Sequence, residues 1–115
     1  MAEECIFCRI VAGGLPADII YQDDDILAFR DIMPRAPTHV LVIPKTHITS
    51  VAELTDGQQK MAGRLIIIAR NLAKKEGIAR KGYRLVMNCG PEGGQVVPHL
   101  HLHLLGGRQM DARLG

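Results

Sequence analysis

Three of the five histidines in this 115-residue chain stand at alternating positions, His99-Leu100-His101-Leu102-His103. Alternation is the period of a β-strand, so the imidazoles are expected on one face and the leucines on the other. A slip of one residue would bury the rings and expose the leucines, so the register is well specified. One metal ion held by all three is disfavoured, because at ~3.3 Å per residue His99 and His103 start ~13 Å apart. Zinc–nitrogen bonds are only ~2.0–2.1 Å long. The rings are therefore expected to divide the labour, one attacking while its neighbours orient, donate protons or bind metal. Imidazole suits attack on phosphorus, being a neutral nucleophile with an ordinary pKa of ~6.5. Its phosphoramidate adduct is labile, so water can complete a second displacement. Such transfer needs hydrogen-bond donors and positive charge around the equatorial oxygens. Candidates are His39, at the start of an earlier strand, and the loop Asn88-Cys89-Gly90-Pro91-Glu92-Gly93-Gly94-Gln95. Its glycines would let backbone N–H groups approach an anion.

A second chemical group is Cys5-Ile6-Phe7-Cys8. By itself this spacing fits a zinc half-site, a redox dithiol or two packed thiols. No strand precedes Cys5, as a redox dithiol in a βαβ setting would require. Zinc would need two further ligands. His47 has no other evident task, and Cys89 lies apart.

The elements that must position these groups are readable from periodicity. Cys5 to Val11 suits a short helical turn, stopped by Gly13-Gly14 and Pro16. Ile19-Ile20-Tyr21-Gln22 and Ile26-Leu27-Ala28-Phe29-Arg30 flank Asp23-Asp24-Asp25 as a β-hairpin would. Pro34 and Pro37 punctuate a loop before the apolar strand His39–Ile43, which Pro44 ends. Thr55-Asp56-Gly57-Gln58 has the spacing of a capping box. Met61, Leu65, Ile68 and Leu72 then mark one face of a long helix. Lys74-Lys75 suit its last turn and Gly77 its C-cap. Tyr83–Asn88 and His99–Leu105 alternate as strands. The expectation is one α+β domain over residues 1–115: about five strands in a mainly antiparallel sheet, one long helix and a short N-terminal helix.

Bulk properties exclude several classes. The apolar fraction is 47%, and the longest uninterrupted apolar stretch, Leu65–Ala69, lies between Arg64 and Arg70. That is far short of the ~20 residues that span a bilayer. The net charge of +2 is scattered, with four Phe and Tyr residues and no Trp, so no nucleic-acid surface is expected. Met1-Ala2-Glu3-Glu4 is acidic and unlike a secretory leader. With three cysteines, the chain is expected to be cytoplasmic and free of a disulfide framework.

Taken together, Phe29-Arg30-Asp31-Ile32, Ala36-Pro37-Thr38-His39, Leu41-Val42-Ile43-Pro44-Lys45, Gly82-Tyr83-Arg84, Gly93-Gly94-Gln95, the triad and Gly106-Gly107-Arg108 resemble the histidine triad family. Within it they resemble the Hint branch of nucleoside phosphoramidate hydrolases. The resemblance spans nearly the whole chain and implies a HIT-like fold. It implies AMP release from purine nucleoside monophosphate derivatives through a nucleotidyl-histidine intermediate. His101 matches the nucleophile, His103 the phosphate-binding neighbour, His39 the fourth histidine of the relay and His99 the first triad residue. Asp31 matches the acid at the ribose hydroxyls. Phe7, Ile32 and Leu41 match the walls of the base pocket, and Asn88, Gly94 and Gln95 match contacts around the phosphate. The resemblance also implies structural zinc on Cys5, Cys8, His47 and His99, no organic cofactor, and a homodimer joined through the long helix and the strand Tyr83–Asn88.

Two departures stand out. Val96 occupies the place of a serine found after Gly-Gly-Gln in many relatives, and the tail Gln109–Gly115 lacks the tryptophan of some animal members. Rival readings are dinucleoside polyphosphate hydrolysis, nucleotidyl transfer, and a nucleotide-binding interaction module with little turnover. The transferase branch carries glutamine where this chain has His103, and an intact His101 and His39 favour turnover.

Overall fold

The acidic turn Asp23-Asp24-Asp25 does build a hairpin, joining β1 (Ile19–Gln22) to β2 (Ile26–Arg30). Asp23 holds it: its carboxylate accepts from the Asp25 and Ile26 amides at 2.8 and 2.9 Å, from the Tyr21 hydroxyl at 2.7 Å and from Arg64 at 2.6 Å. The structure, a computed structural model, describes residues 5–114. In it β3 (Thr38–Pro44), β4 (Tyr83–Val86) and β5 (Leu102–Gly106) complete a five-stranded antiparallel sheet of order β1-β2-β3-β5-β4.

Two helices cover opposite faces. The long helix α2 (Gln59–Lys75) buries Leu65, Ile68, Ala69, Leu72 and Ala73 against Ile26, Ala28, Val40, Val42, Leu102 and Leu104. The capping box forms one turn earlier than α2 itself, on a 3-10 turn at Asp56–Gln58, with the Gln58 side chain accepting from the Thr55 amide at 2.9 Å. At the other end Gly77, at φ +75, lets the Gly77 and Ile78 amides return to Lys74 and Ala73. The short helix α1 (Ile6–Val11) packs Phe7 and Ile10 on the second face, against Leu27, Phe29, Leu41 and Ile43. The central strand β3 is therefore buried on both sides.

The expected strand His99–Leu105 is corrected. Its ladder with β3 begins only at Leu102, opposite Val42, and two residues further on Leu100 would have to pair with Pro44, which has no N–H to give. Upstream the chain bonds elsewhere, with the Leu100 amide donating to the Ile48 carbonyl and the His99 amide to that of Val97. Side-chain alternation outlasts the ladder: Leu100, Leu102 and Leu104 face α2, while the rings of His99 and His101 lie beside Phe7 of α1. Likewise β4 ends at Val86, two residues before the expected Asn88.

Candidate active site

On the α1 face of the sheet, Leu41 lies opposite His103 and His39 opposite Leu105, which sets His39 diagonally across from His103. Their rings meet, with His39 Nε2 2.9 Å from His103 Nδ1. Backbone groups decide where the protons sit. The Arg35 amide donates to His39 Nδ1 at 3.0 Å. An amide can only donate, so His39 carries its proton on Nε2 and donates it to His103 Nδ1. His103 in turn carries its own proton on Nε2, free to donate outward. Asp31 Oδ2 stands 3.4 Å from the same His39 Nε2, while Oδ1 accepts from the Met33 amide at 2.8 Å.

His101 is oriented by a carbonyl instead. Its Nδ1 donates to the His99 carbonyl at 2.7 Å, which leaves a lone pair on Nε2. The edge of Phe7 packs against this ring at a centroid distance of 5.2 Å, and the His103 ring lies 4.9 Å away. The surroundings keep the relay neutral. Burial, followed by the proximity of His101 and His39, pushes the His103 imidazole down to about 4. Burial also lowers His39, with Arg35 adding to the effect and Asp31 opposing it.

His99 has a different environment. Its ring is fully buried, Nε2 donates to the Pro44 carbonyl at 2.8 Å, and Nδ1 faces Cys5 Sγ at 3.2 Å and Cys8 Sγ at 3.5 Å. His47 Nδ1 lies 3.2 Å from Cys8 Sγ. One donor atom from each of Cys5, Cys8, His47 and His99 falls within 4.8 Å of all the others. Tetrahedral zinc with ~2.3 Å and ~2.05 Å bonds separates sulfur and nitrogen ligands by about 3.6 Å, so the set has the right chemistry and nearly the right spacing. The Pro44 carbonyl fixes the tautomer that leaves Nδ1 free, as a ligating histidine requires.

His39, His101, His103 and Asp31 are thus brought together, and Phe7 and Leu41 lie buried beneath them. The His99 ring is not among them; only its carbonyl reaches His101. Ile32 is 95% exposed on the loop before β3. Asn88 is half-buried beyond the end of β4. The loop donors behave differently from expectation. The amides of Gly93 and Gln95 bond the Gly90 carbonyl, and that of Gly94 bonds Pro91, so they close their own turn. A Cβ on Gly93 would lie 2.3 Å from the Cys89 oxygen, which explains the glycine by close packing. The Gln95 amide is likewise committed, accepting from Gly90 and donating to the carbonyls of Thr49 and Val97. Val96 beside it is 88% exposed. Sequence reasoning missed the groups that set the tautomers, the Arg35 amide and the carbonyls of Pro44 and His99. Backbone groups carry no residue-type signal.

Comparison with known proteins agrees over almost the whole chain. The HIT domain model matches residues 12–110. A purine nucleoside phosphoramidase of Escherichia coli K12 is 50% identical over 114 residues, 99% of this chain and 96% of the relative. Among solved structures, a HIT family hydrolase from Legionella pneumophila superposes with a TM-score of 0.94 at 50% identity, covering 96% of this chain and 99% of the other. A histidine triad protein from Clostridium difficile gives 0.93 at 39% identity, with 96% of both chains covered.

Proposed function

The chain belongs to the HIT domain family, and on that premise we propose that it hydrolyses the P–N bond of purine nucleoside phosphoramidates, releasing the nucleoside monophosphate. The observation that carries this reading is the free Nε2 lone pair of His101 beside the outward Nε2–H of His103. His101 Nε2 attacks the α-phosphorus and forms a P–N bond as the bond to the amine leaving group breaks. The amine takes its proton from solvent. Positive charge that develops on the imidazole is held by the Nδ1–H bond to the His99 carbonyl. His103 Nε2–H stabilises an equatorial phosphate oxygen, and His39 keeps it in the donating tautomer. Water then attacks the phosphorus, His101 Nε2 departs, and the monophosphate is released with a proton to solvent. Asp31 receives the ribose hydroxyls, and Phe7 and Leu41 back the base pocket by packing. The test is mass spectrometry of protein quenched during turnover of adenosine phosphoramidate. An adenylyl adduct on His101 is expected, and its absence under saturating substrate would overturn the covalent route.

Cys5, Cys8, His47 and His99 hold structural zinc in this reading, supported by the converging donor set and the His99 tautomer. Held there, zinc would tie the start of α1 to the segments around His47 and His99, and His99 bears the carbonyl that accepts from His101. Reduced thiols of this kind fit a cytoplasmic protein; among the described residues no helix is long and apolar enough to cross a membrane. The protein works as a homodimer. In support, Ile66 and Ile67 are 51% and 45% exposed on the outer face of α2, and β4 is an unpaired sheet edge.

A further inference from the structure

The Gly106-Gly107-Arg108 motif begins at the last residue of β5 and has no part in the steps above. Its glycines allow a close turn. A Cβ on Gly106 would meet Ile78 Cδ1 at 2.5 Å, and one on Gly107, at φ +93, would meet Pro37 Cβ at 2.9 Å. The turn thus lies directly on the loop that precedes β3. It brings the Arg108 guanidinium onto the Arg35 carbonyl, with Nε at 3.1 Å and a terminal nitrogen at 3.0 Å. Two N–H groups on one oxygen is a fork that lysine cannot reproduce.

Arg35 is the residue whose amide donates to His39 Nδ1. The loop is also anchored by the Met33 amide on Asp31 Oδ1, the Asp31 amide on the His39 carbonyl and the buried Ala36. Pro34 and Pro37 offer no N–H, however, and the Arg35 side chain is exposed, so Arg108 is the side chain that grips the Arg35 peptide itself. We propose that Arg108 is a positioning residue, which clamps the Arg35 carbonyl and thereby keeps the Arg35 amide on His39 Nδ1 and the relay protons of His39 and His103 on Nε2. The consequence of losing the clamp follows from tautomer chemistry. Once the Arg35 amide leaves, His39 can carry its proton on Nδ1 and present a lone pair from Nε2. His103 must then place its proton on Nδ1 to keep the ring–ring hydrogen bond. Its outward Nε2 becomes an acceptor facing an anionic phosphate, and the transition state loses a donor.

The catalytic consequence rests on the hydrolase reading; the tautomer assignment does not. Ring 15N NMR of the full-length protein separates the two. In the wild type, His39 and His103 should both show protonated Nε2 and unprotonated Nδ1. Arg108→Ala should mix the tautomers at both rings and lower kcat about 10-fold with KM nearly unchanged, as expected of a group that orients another catalytic side chain. Arg108→Lys, with a single donor, should fall between the two, and it carries the test if Arg108→Ala does not fold. Wild-type ring signals in either variant would overturn the proposal, whatever happens to the rate. Failure to trap an adduct on His101 would instead count against the hydrolase reading and leave the tautomer result standing.

Discussion

Two groups of imidazoles flank the segment His99–His103, and they use the same building blocks to opposite ends. Around Cys5, Cys8, His47 and His99, the donor atoms turn toward one centre. Around His39, His101 and His103, His39 and His101 each donate a proton to a defined acceptor, and the nitrogens left open are Nε2 of His101 and Nε2 of His103. Backbone partners make the difference. The Pro44 carbonyl takes the Nε2–H of His99 and leaves Nδ1 facing the thiols, whereas the His99 carbonyl takes the Nδ1–H of His101 and leaves a lone pair on Nε2. Neighbouring histidines of one motif thus present different ring nitrogens according to which carbonyl each can reach.

The contrast breaks most sharply at His101. His101→Ala should lower phosphoramidate turnover by at least about three orders of magnitude while fold and nucleotide binding persist, because it removes the covalent route itself. Steady-state release of AMP checks this, and near-normal rates would erase the distinction between the two groups.

The thiol group should respond in the other currency, stability. Protein purified without chelator is expected to hold about one zinc per chain. Cys5→Ser with Cys8→Ser should then cost about 3 kcal/mol, on the order of 10 °C in Tm, because ligands assembled by folding make metal binding part of the folding free energy. Catalysis should suffer less than in His101→Ala. Elemental analysis and thermal melts decide the matter; metal-free protein that melts normally would leave the thiols as packing groups.

A smaller effect concerns pH. Burial holds the His103 imidazole at about 4, below its unfolded value of ~6.5, so the unfolded chain binds a proton there that the native protein refuses. The contribution of this ring to stability is therefore complete above about pH 6.5 and is lost as pH falls toward 4. His103→Gln should flatten that part of the stability profile by about 1–3 kcal/mol at pH 4 relative to wild type. Parallel denaturation curves for the two proteins would refute the neutral relay.

Substrate contacts come next in size. Asp31 has already given one oxygen to Met33, and the other stands near His39, so a ribose hydroxyl adds one charge-assisted hydrogen bond. Deoxyribose substrates should lose about 10-fold in kcat/KM, while adenine and guanine derivatives should differ little. Indifference to the hydroxyls would remove Asp31 from the nucleotide site. The least effect is expected from Val96→Ser, which places a hydroxyl at an exposed position beside the committed Gln95 and should raise kcat only about threefold. An unchanged rate would show that no leaving-group contact is made there.

Much of the architecture was legible because periodicity reports burial. The 3–4 spacing from Met61 to Leu72 marked the buried face of α2, and the leucines alternating with the triad marked the face that packs on it. Boundaries were less legible where a partner strand decides them. Nothing within residues 99–105 reveals that β3 stops offering N–H groups at Pro44, so the triad reads as one strand although only His103 lies in the ladder. Ile32, a pocket wall by resemblance, is solvent-exposed while Phe7 and Leu41 are buried, a difference residue type does not reveal because a loop residue's surroundings are set by the segments that pass near it.

The sequence by itself determined which residues could do chemistry and which faces would be buried, because residue type and spacing encode reactivity and amphipathicity locally. The division of labour among the histidines was decided only by tertiary structure. Each ring takes or gives a proton according to one backbone group that the folded chain brings to it: Arg35, from the loop just before β3, for His39, the His99 carbonyl for His101, and Pro44, from a distant segment, for His99. Every residue has such backbone groups, proline's missing N–H aside, so only the fold determines which of them an imidazole meets.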